Sequence, residues 1–215
     1  NQMRKLDSKG CTLGVLGLVN GTVELVQVGW TFEVLVVLTA DFVVIGVGIV
    51  PNSELASNAG LSVSDGIVVD AYARTEDPNI VAAGDCTNHP NHIYGKRIRL
   101  ESVQNAVDQA KIAAASLCEV EKKYTSVPWF WSDQYDVKLQ IVGLSQGHDE
   151  IVLRGDPASG AFAVFYLQAG RLIAVDAINK PQEFMTSKRL IPKDVHISSE
   201  RLQDQSISMK EIANQ

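Results

Sequence analysis

The sequence has 215 residues, of which 46% are apolar and 20% are charged, and its formal net charge is −6. This composition is typical of a globular protein with one large or two small domains, and the acidic balance argues against nucleic acid as the main partner. Polar residues interrupt the valine-rich segment 15–50 too often for a membrane-spanning helix. Three widely spaced cysteines without a CxxC pair argue against a disulfide framework, a zinc site and a dithiol redox centre, so we expect a cytoplasmic protein.

The first fifty residues predict mainly β-structure. Residues 21–28 (GTVELVQV) alternate between apolar and polar, and residues 42–47 (FVVIGV) form an apolar run typical of a strand covered on both faces. Gly46 and Gly48, at the end of that run, leave room for a dinucleotide or simply form a tight exit from the strand. Their spacing does not match the GxGxxG motif of dinucleotide-binding turns.

A Gly-Asp pair follows the next predicted strands, at residues 67–69 and 80–83. Ligands of α/β folds bind at the carboxyl ends of strands, and Gly84 lets a ligand approach the backbone there. The carboxylate of Asp85 can accept hydrogen bonds from a polyol. The alternative is an aspartate that caps an ordinary loop.

Residues 101–118 predict the clearest helix, with apolar side chains at three- and four-residue steps and Ser102 as the N-cap. Its many alanines allow it to lie close against a sheet or a ligand. The first N–H groups of a helix carry partial positive charge, so the start at Val103 suits a ligand that gains negative charge, such as a flavin on reduction. Alternatively, Val103 belongs to the core.

The charged segment 119–126 marks a boundary, beyond which the composition changes. Strands are predicted at residues 137–141, 151–154, 162–168 and 172–178, with a helix after Pro181. This order indicates an antiparallel sheet with helices at one side, an α+β unit. Trp131, in the aromatic segment 129–131, either packs in a core or interface or covers the face of a flavin.

Four motifs, in order, carry a family resemblance: VVIGVGIVPN, TEDPNIVAAGD, RLESVQNAVDQA and VPWFWSDQYDVKLQIVG. They resemble the C-terminal half of the FAD-dependent ferredoxin reductases of multicomponent oxygenases, within the apoptosis-inducing-factor-like flavoproteins. The resemblance implies an α/β fold, a partial FAD/NAD(P)-binding two-dinucleotide-domain fold followed by a small α+β C-terminal domain with an antiparallel sheet. It implies a remnant of the NAD-binding domain at 1–52, the second half of the FAD-binding domain at 53–122 and the C-terminal domain at 123–215.

The resemblance also implies a reaction, in which NADH passes a hydride to FAD and the flavin gives single electrons to a [2Fe–2S] ferredoxin. No side chain is assigned as catalytic, and the four histidines show no metal-ligand spacing. The implied cofactor-binding residues are those at the FAD (Gly84, Asp85, Ser102, Val103 and Trp131), one beside the nicotinamide (Glu101) and two at the NAD site (Gly46 and Gly48). The basic residues Lys96, Arg97 and Arg99 either dock an acidic redox partner or form a solvated edge.

The sequence departs from this family because it contains no GxGxxG motif. Such a glycine-rich turn and helix start normally hold the pyrophosphate of FAD. We therefore expect a fragment that binds FAD at most weakly by itself. The alternatives are a cofactor-free interaction module derived from such a reductase, and another flavoprotein of the same fold, such as a rubredoxin or monodehydroascorbate reductase.

Overall fold

A computed structural model describes residues 13–19, 22–28, 33–39 and 48–214 of the chain, which divides into two compact units, Asn1–Val50 and Pro51–Gln215. The first unit contains an antiparallel sheet in the order β1 (Leu13–Val19), β2 (Thr22–Val28) and β3 (Glu33–Thr39). The strand predicted at residues 21–28 is therefore confirmed as β2. The strand predicted at 42–47 lies outside the described residues, and so does Gly46.

The second unit begins with a short helix and a small sheet: α1 (Glu54–Asn58), β4 (Ile67–Val68), β5 (Thr87–Asn91) and β6 (Lys96–Ile98). Strand β5 is central, with β4 parallel on one side and β6 antiparallel on the other. The prediction at residues 67–69 is thus confirmed as β4.

The strand predicted at residues 80–83 is wrong. This segment forms only an isolated bridge between Arg74 and Val81. The reason is local, because a tight turn folds the segment back on the residues just before it: Thr75 N donates to Ile80 O at 3.0 Å, and Ala82 N donates to Ala73 O at 3.0 Å. The apolar run therefore pairs with its own neighbours instead of extending a sheet.

The predicted long helix is confirmed as α2 (Val103–Leu117). Ser102 is its N-cap in extended conformation, and the Ser102 hydroxyl oxygen accepts a hydrogen bond from Asn105 N at 3.0 Å. This bond satisfies one of the N–H groups that a helix start leaves unpaired.

The rest of the second unit is an antiparallel sheet of five strands in the order β7-β8-β11-β10-β9. The strands are β7 (Trp129–Gln134), β8 (Val137–Gly143), β9 (Glu150–Asp156), β10 (Ala161–Gln168) and β11 (Arg171–Ile178). Three helices follow: α3 (Pro181–Leu190), α4 (Ser199–Gln203) and α5 (Met209–Ala213). The predicted α+β unit is confirmed, and Pro181 occupies the first position of α3.

The core of this α+β unit lies between the sheet and its helices. Val142 of β8 is fully buried there, opposite Trp129 of β7 and Val175 of β11. Successive side chains of a strand point to opposite faces, so Val137 and Ile141 lie on the other face, where Val137 is 39% exposed. The strand predicted from their alternation exists, but its most deeply buried side chain is Val142.

Tyr94, in the turn between β5 and β6, joins the small sheet to the five-stranded sheet. Its hydroxyl accepts from Leu144 N at 2.7 Å and donates to Ile173 O at 2.9 Å. Burial raises the pKa of Tyr94 to about 12, so the hydroxyl keeps its proton over the range in which proteins are folded. Gly143 is required beside it, because a Cβ at this position would lie 2.1 Å from Ile173 O.

Replacing Tyr94 by phenylalanine removes this hydroxyl and leaves two main-chain groups without their partner. We expect the free energy of unfolding to fall by about 1–3 kcal/mol, the usual cost of unsatisfied buried polar groups. Urea denaturation followed by circular dichroism measures the change. The matched control is Tyr135→Phe at a fully exposed tyrosine, and an equal effect of both variants would contradict the proposed role of Tyr94.

Candidate cofactor site

A buried glutamine of α2 fixes the Gly84–Asp85 turn by hydrogen bonds. Gln109 is 1% exposed, and its side-chain oxygen accepts hydrogen bonds from Gly84 N at 2.7 Å and from Thr87 Oγ1 at 2.8 Å. Gly84 has a φ of +90°, a conformation that favours glycine. The turn is thereby fixed, while the Asp85 side chain remains exposed and free to accept hydrogen bonds from a ligand.

Arg99 brings two of the predicted site residues together. Its guanidinium donates to Glu101 Oε1 at 2.7 Å, to Asp65 Oδ1 at 2.9 Å and to the Asp85 main-chain oxygen at 3.4 Å. The side chain is only 13% exposed. Burial lowers the pKa of Arg99, but the hydrogen bonds to Glu101 and Asp65 outweigh it and raise the pKa overall. The cation therefore orients the Glu101 carboxylate and braces the turn that carries Asp85.

The start of α2 follows Glu101 directly. Ser102 caps the helix through its own side chain, and Val103, the first helical residue, is 61% exposed. The exposed Val103 thus marks a helix start next to the Arg99–Glu101 ion pair, and helix starts carry partial positive charge. The alternative in which Val103 is a core residue is excluded by its exposure.

Trp131 lies at the outer end of an aromatic stack. It is 46% exposed, and its ring lies 5.3 Å from that of Trp129, which in turn contacts Phe184 at 5.8 Å. Lys188 Nζ is 4.4 Å from the Trp129 ring centroid, and burial lowers the pKa of this lysine. The stack is joined to α2 by a bond from Trp129 N to Gln104 Oε1 of 3.3 Å.

The interior face of α2 combines buried amide side chains with two buried apolar residues, Ile112 and Ala113. Gln104, Asn105 and Gln109 are all buried, whereas Val107 is 48% exposed and Leu117 is 64% exposed. The sequence predicted that the helix would lie close against a sheet or ligand. The helix contacts the interior both through these amide side chains and through Ile112 and Ala113, which pack with Ala73 and Tyr124.

The remaining predicted residues belong to the first compact unit, lie outside the described residues or bond within another element. Gly48 is exposed, has a φ of +89° and belongs to the first compact unit, and Gly46 is not described. Arg97 is engaged within its own sheet, donating from Nη2 to Val69 O at 2.7 Å and from Nε to Asn88 Oδ1 at 2.9 Å.

Sequence reasoning missed two residues that organise the site. The sequence predicts Arg99 only as a docking residue for an acidic partner or as part of a solvated edge, although its place two residues before Glu101 on an extended segment puts both side chains on one side. Gln109 carried no sequence signal, because its partners, Gly84 and Thr87, are more than twenty residues away.

Within residues 48–214 and the three described N-terminal strands, no helix is long and apolar enough to cross a membrane. The same residues contain no group of three or more histidine, cysteine, aspartate or glutamate side chains placed to hold a metal ion.

Two protein families match most of the chain. Residues 129–213 match the Reductase C-terminal family, and residues 19–110 match the Pyridine nucleotide-disulphide oxidoreductase family. The first match spans the five-stranded sheet and the helices after it, and the second includes the Gly84–Asp85 turn and the first half of α2.

Relatives with known names cover the same region. The chain is 47% identical over 175 residues to putidaredoxin reductase from Pseudomonas putida, a match that covers 81% of this chain and 42% of that protein. It is 48% identical over 176 residues to rhodocoxin reductase from Rhodococcus erythropolis, covering 81% and 41% respectively. A solved putidaredoxin reductase–putidaredoxin complex matches with a TM-score of 0.82 at 40% identity, over 95% of this chain and 49% of that chain. The chain thus spans about two fifths of the length of its curated relatives.

A buried histidine behind the site makes the stability of the protein sensitive to acid. His89 of β5 is 1% exposed, packs edge-on against Tyr124 at 5.0 Å, and has no hydrogen-bond partner at either ring nitrogen among the described residues. Burial, aided by the nearby Arg97 cation, lowers its pKa to about 4. The unfolded chain therefore binds the proton more tightly, and stability falls as the pH drops from about 6.5 towards 4.

We expect His89→Phe to abolish much of this acid sensitivity, because phenylalanine keeps the ring and removes the titrating group. The wild-type chain is expected to lose about 1–2 kcal/mol of unfolding free energy through this residue between pH 7 and pH 5. Denaturant unfolding at both pH values measures the loss, with His92→Phe at an exposed histidine as the control. The assignment fails if the wild type and His89→Phe lose the same free energy.

Proposed function

We propose that the chain is part of an electron-transfer flavoenzyme, because it matches the Reductase C-terminal and Pyridine nucleotide-disulphide oxidoreductase families and is similar to putidaredoxin reductase and rhodocoxin reductase. The enzyme passes electrons from NADH through FAD to a [2Fe–2S] ferredoxin of an oxygenase system. The observation that carries this proposal is that Arg99 bonds both to the turn that carries the exposed Asp85 and to the Glu101 carboxylate. The exposed start of α2 follows Glu101 directly.

The residues present fit the middle of an FAD molecule. An exposed carboxylate at a fixed turn suits the hydroxyls of the ribityl chain, so we assign Gly84 and Asp85 to that part of the cofactor. When bound, FAD accepts a hydride and releases electrons one at a time. The first-turn N–H groups at Ser102 and Val103 favour negative charge on a neighbouring ligand, which is the charge that a reduced flavin carries.

We assign Glu101 to the nicotinamide side of the site and Trp131 to the flavin face. Arg99 orients the Glu101 carboxylate through a hydrogen bond, and the ring of Trp129 packs against that of Trp131. Trp131 is thus an aromatic surface that excludes water from one side of the ring system. Gly46 and Gly48 are assigned to the border of the NAD site.

The proposed organisation has three parts, namely a remnant of the NAD-binding domain (1–52), the second half of the FAD-binding domain (53–122) and the C-terminal reductase domain (123–215). Scattered cysteines without CxxC pairs support a reducing cytoplasmic location.

A second candidate function is a cofactor-free interaction module derived from such a reductase. The absence of a GxGxxG motif from the sequence favours it, because the pyrophosphate of FAD has no glycine-rich turn here. The exposed Asp85 and Trp131 favour the flavoprotein, since a module without flavin gains nothing from an open carboxylate beside an open helix start. A rubredoxin or monodehydroascorbate reductase differs from the first proposal only in the electron acceptor.

Titration of the purified chain with FAD separates the two functions. We expect weak saturable binding, seen as quenching of flavin fluorescence, and Asp85→Ala is expected to weaken it about tenfold because a charge-assisted hydrogen bond contributes roughly 1.5–3 kcal/mol. Asp136→Ala, at an exposed aspartate of the β7–β8 turn, is the control. Absence of saturable quenching would favour the cofactor-free module, whereas equal affinity in all three proteins would contradict the role assigned to Asp85.

A further inference from the structure

Gln104 lies between α2 and the strand that carries Trp131. It is 6% exposed, and its side-chain oxygen accepts a hydrogen bond from Trp129 N at 3.3 Å. Strand β7 lies at the edge of the five-stranded sheet, and this bond ties its first residue to α2. Trp131 follows two residues later on the same face of the strand, and the two indole rings lie 5.3 Å apart. A shift of Trp129 therefore moves Trp131 as well.

Two partners that only accept from the Gln104 amide fix its orientation. Gln104 Nε2 donates to Asp108 Oδ2 at 2.8 Å and to Tyr124 Oη at 3.4 Å. An ionised carboxylate has no proton to donate. The Tyr124 hydroxyl donates its proton to Asn105 Oδ1 at 2.9 Å, and burial raises the pKa of Tyr124 to about 12, so the hydroxyl stays protonated. The amide nitrogen must therefore face these two acceptors, which leaves the amide oxygen facing Trp129.

Further donors hold Asp108 in its ionised form. Lys111 Nζ lies 3.2 Å from Asp108 Oδ1, and Ser126 Oγ donates to Asp108 Oδ2 at 3.1 Å. Burial raises the pKa of Asp108, but the hydrogen bonds from these two residues and from Gln104 outweigh it and lower the pKa overall. Ser126 belongs to the segment that joins α2 to β7. The carboxylate thus links the helix, this segment and, through Gln104, the first residue of the strand.

We propose that Gln104 is a positioning residue for Trp131, and that Asp108 sets the direction in which the Gln104 amide points. This inference rests on the proposed function, in which Trp131 covers one face of the flavin. Gln104 directly follows Val103, which is assigned to the flavin at the start of α2. One short segment therefore both meets the cofactor and places the aromatic ring that covers it, and locked neighbours of this kind keep a site in its productive geometry.

Gln104→Glu tests the proposal, because glutamate keeps the shape of glutamine and removes both amide protons. At pH 7 the introduced carboxylate faces the Asp108 carboxylate, and like charges repel. Stacked indoles give an exciton couplet in far-ultraviolet circular dichroism, and its loss in Trp131→Phe identifies the signal of this pair. We expect Gln104→Glu to reduce the couplet roughly twofold or more at pH 7, since the rings no longer keep their mutual distance and angle.

Lowering the pH to 5 is expected to restore the couplet in this variant. Burial and the neighbouring Asp108 favour the protonated form of the introduced carboxyl group, which can then donate to Asp108 as the amide did. The other charged groups near the pair are the cations Lys111 on α2 and Lys188 on α3. The wild type at pH 5 controls for protonation of His89, which packs against Tyr124. A purely structural role for the side chain would give no recovery in acid.

A second pair of variants tests the part played by Asp108. Asp108→Ala removes the acceptor that directs the Gln104 amide and keeps a good helix former at a partly exposed position. Asp108→Asn keeps a side-chain oxygen that can still accept from Gln104 Nε2. We expect the couplet to fall in the alanine variant and to be retained in the asparagine variant. Gln203→Glu and Asp136→Ala, both at exposed positions, repeat the changes elsewhere and are expected to leave the couplet unchanged.

Four results would overturn the proposal: a wild-type spectrum without the couplet, a couplet unchanged in Gln104→Glu at pH 7, a loss that acid does not reverse, or equal effects of Asp108→Ala and Asp108→Asn. The Asp108 pair decides where Gln104→Glu does not fold.

Titration of the same proteins with FAD separates this proposal from the proposed function. A couplet that changes in Gln104→Glu while the affinity for FAD stays the same contradicts the assignment of Trp131 to the flavin face and leaves the role of Gln104 intact. An affinity for FAD that falls while the couplet is unchanged contradicts the role of Gln104 and leaves the proposed function intact.

Discussion

The buried amide side chains of α2 are the constraint on which the second unit depends. Gln109 holds the cofactor turn, Gln104 holds the start of β7, and Asn105 accepts from Tyr124 Oη at 2.9 Å while donating to Leu100 O at 3.1 Å. A buried amide that loses its partner costs about 1–3 kcal/mol. Rotation of the helix by even one position would break all of these bonds at once, so its orientation is fixed.

This fixed orientation explains both the site and the exposed side of the helix. The same rotation that points the amides inward leaves Val103 exposed at the helix start, which follows the Arg99–Glu101 ion pair. Sites built on rigid elements hold their geometry better than sites on loops. Val103, Val107 and Leu117 lie on the side of the helix that these bonds turn away from the interior.

The sequence predicts the local elements here more reliably than it predicts which side of each element points to the interior. Ser102 and the alanine-rich period predicted α2 correctly, because capping and helix propensity act within a few residues. The interior face was not predictable, since the partners of Gln109 lie far away in the chain. The apolar run at 80–83 satisfied the pattern of a strand, but the turn that begins at Thr75 folds it back. Pattern alone does not specify which neighbour a short run will pair with.

The position of Trp131 relative to the cofactor turn follows from hydrogen bonds between side chains and main-chain atoms that join the two parts of the second unit. Trp129 N bonds to Gln104 of α2, and Tyr94 bonds to main-chain atoms at β8 and β11. Because side chains two apart share a face of a strand, Trp129 and Trp131 point the same way. Trp129 takes the inner position against Phe184, which leaves Trp131 the outer one. The exposure of this tryptophan is therefore set by how β7 is joined to α2, and not by the five-stranded sheet alone.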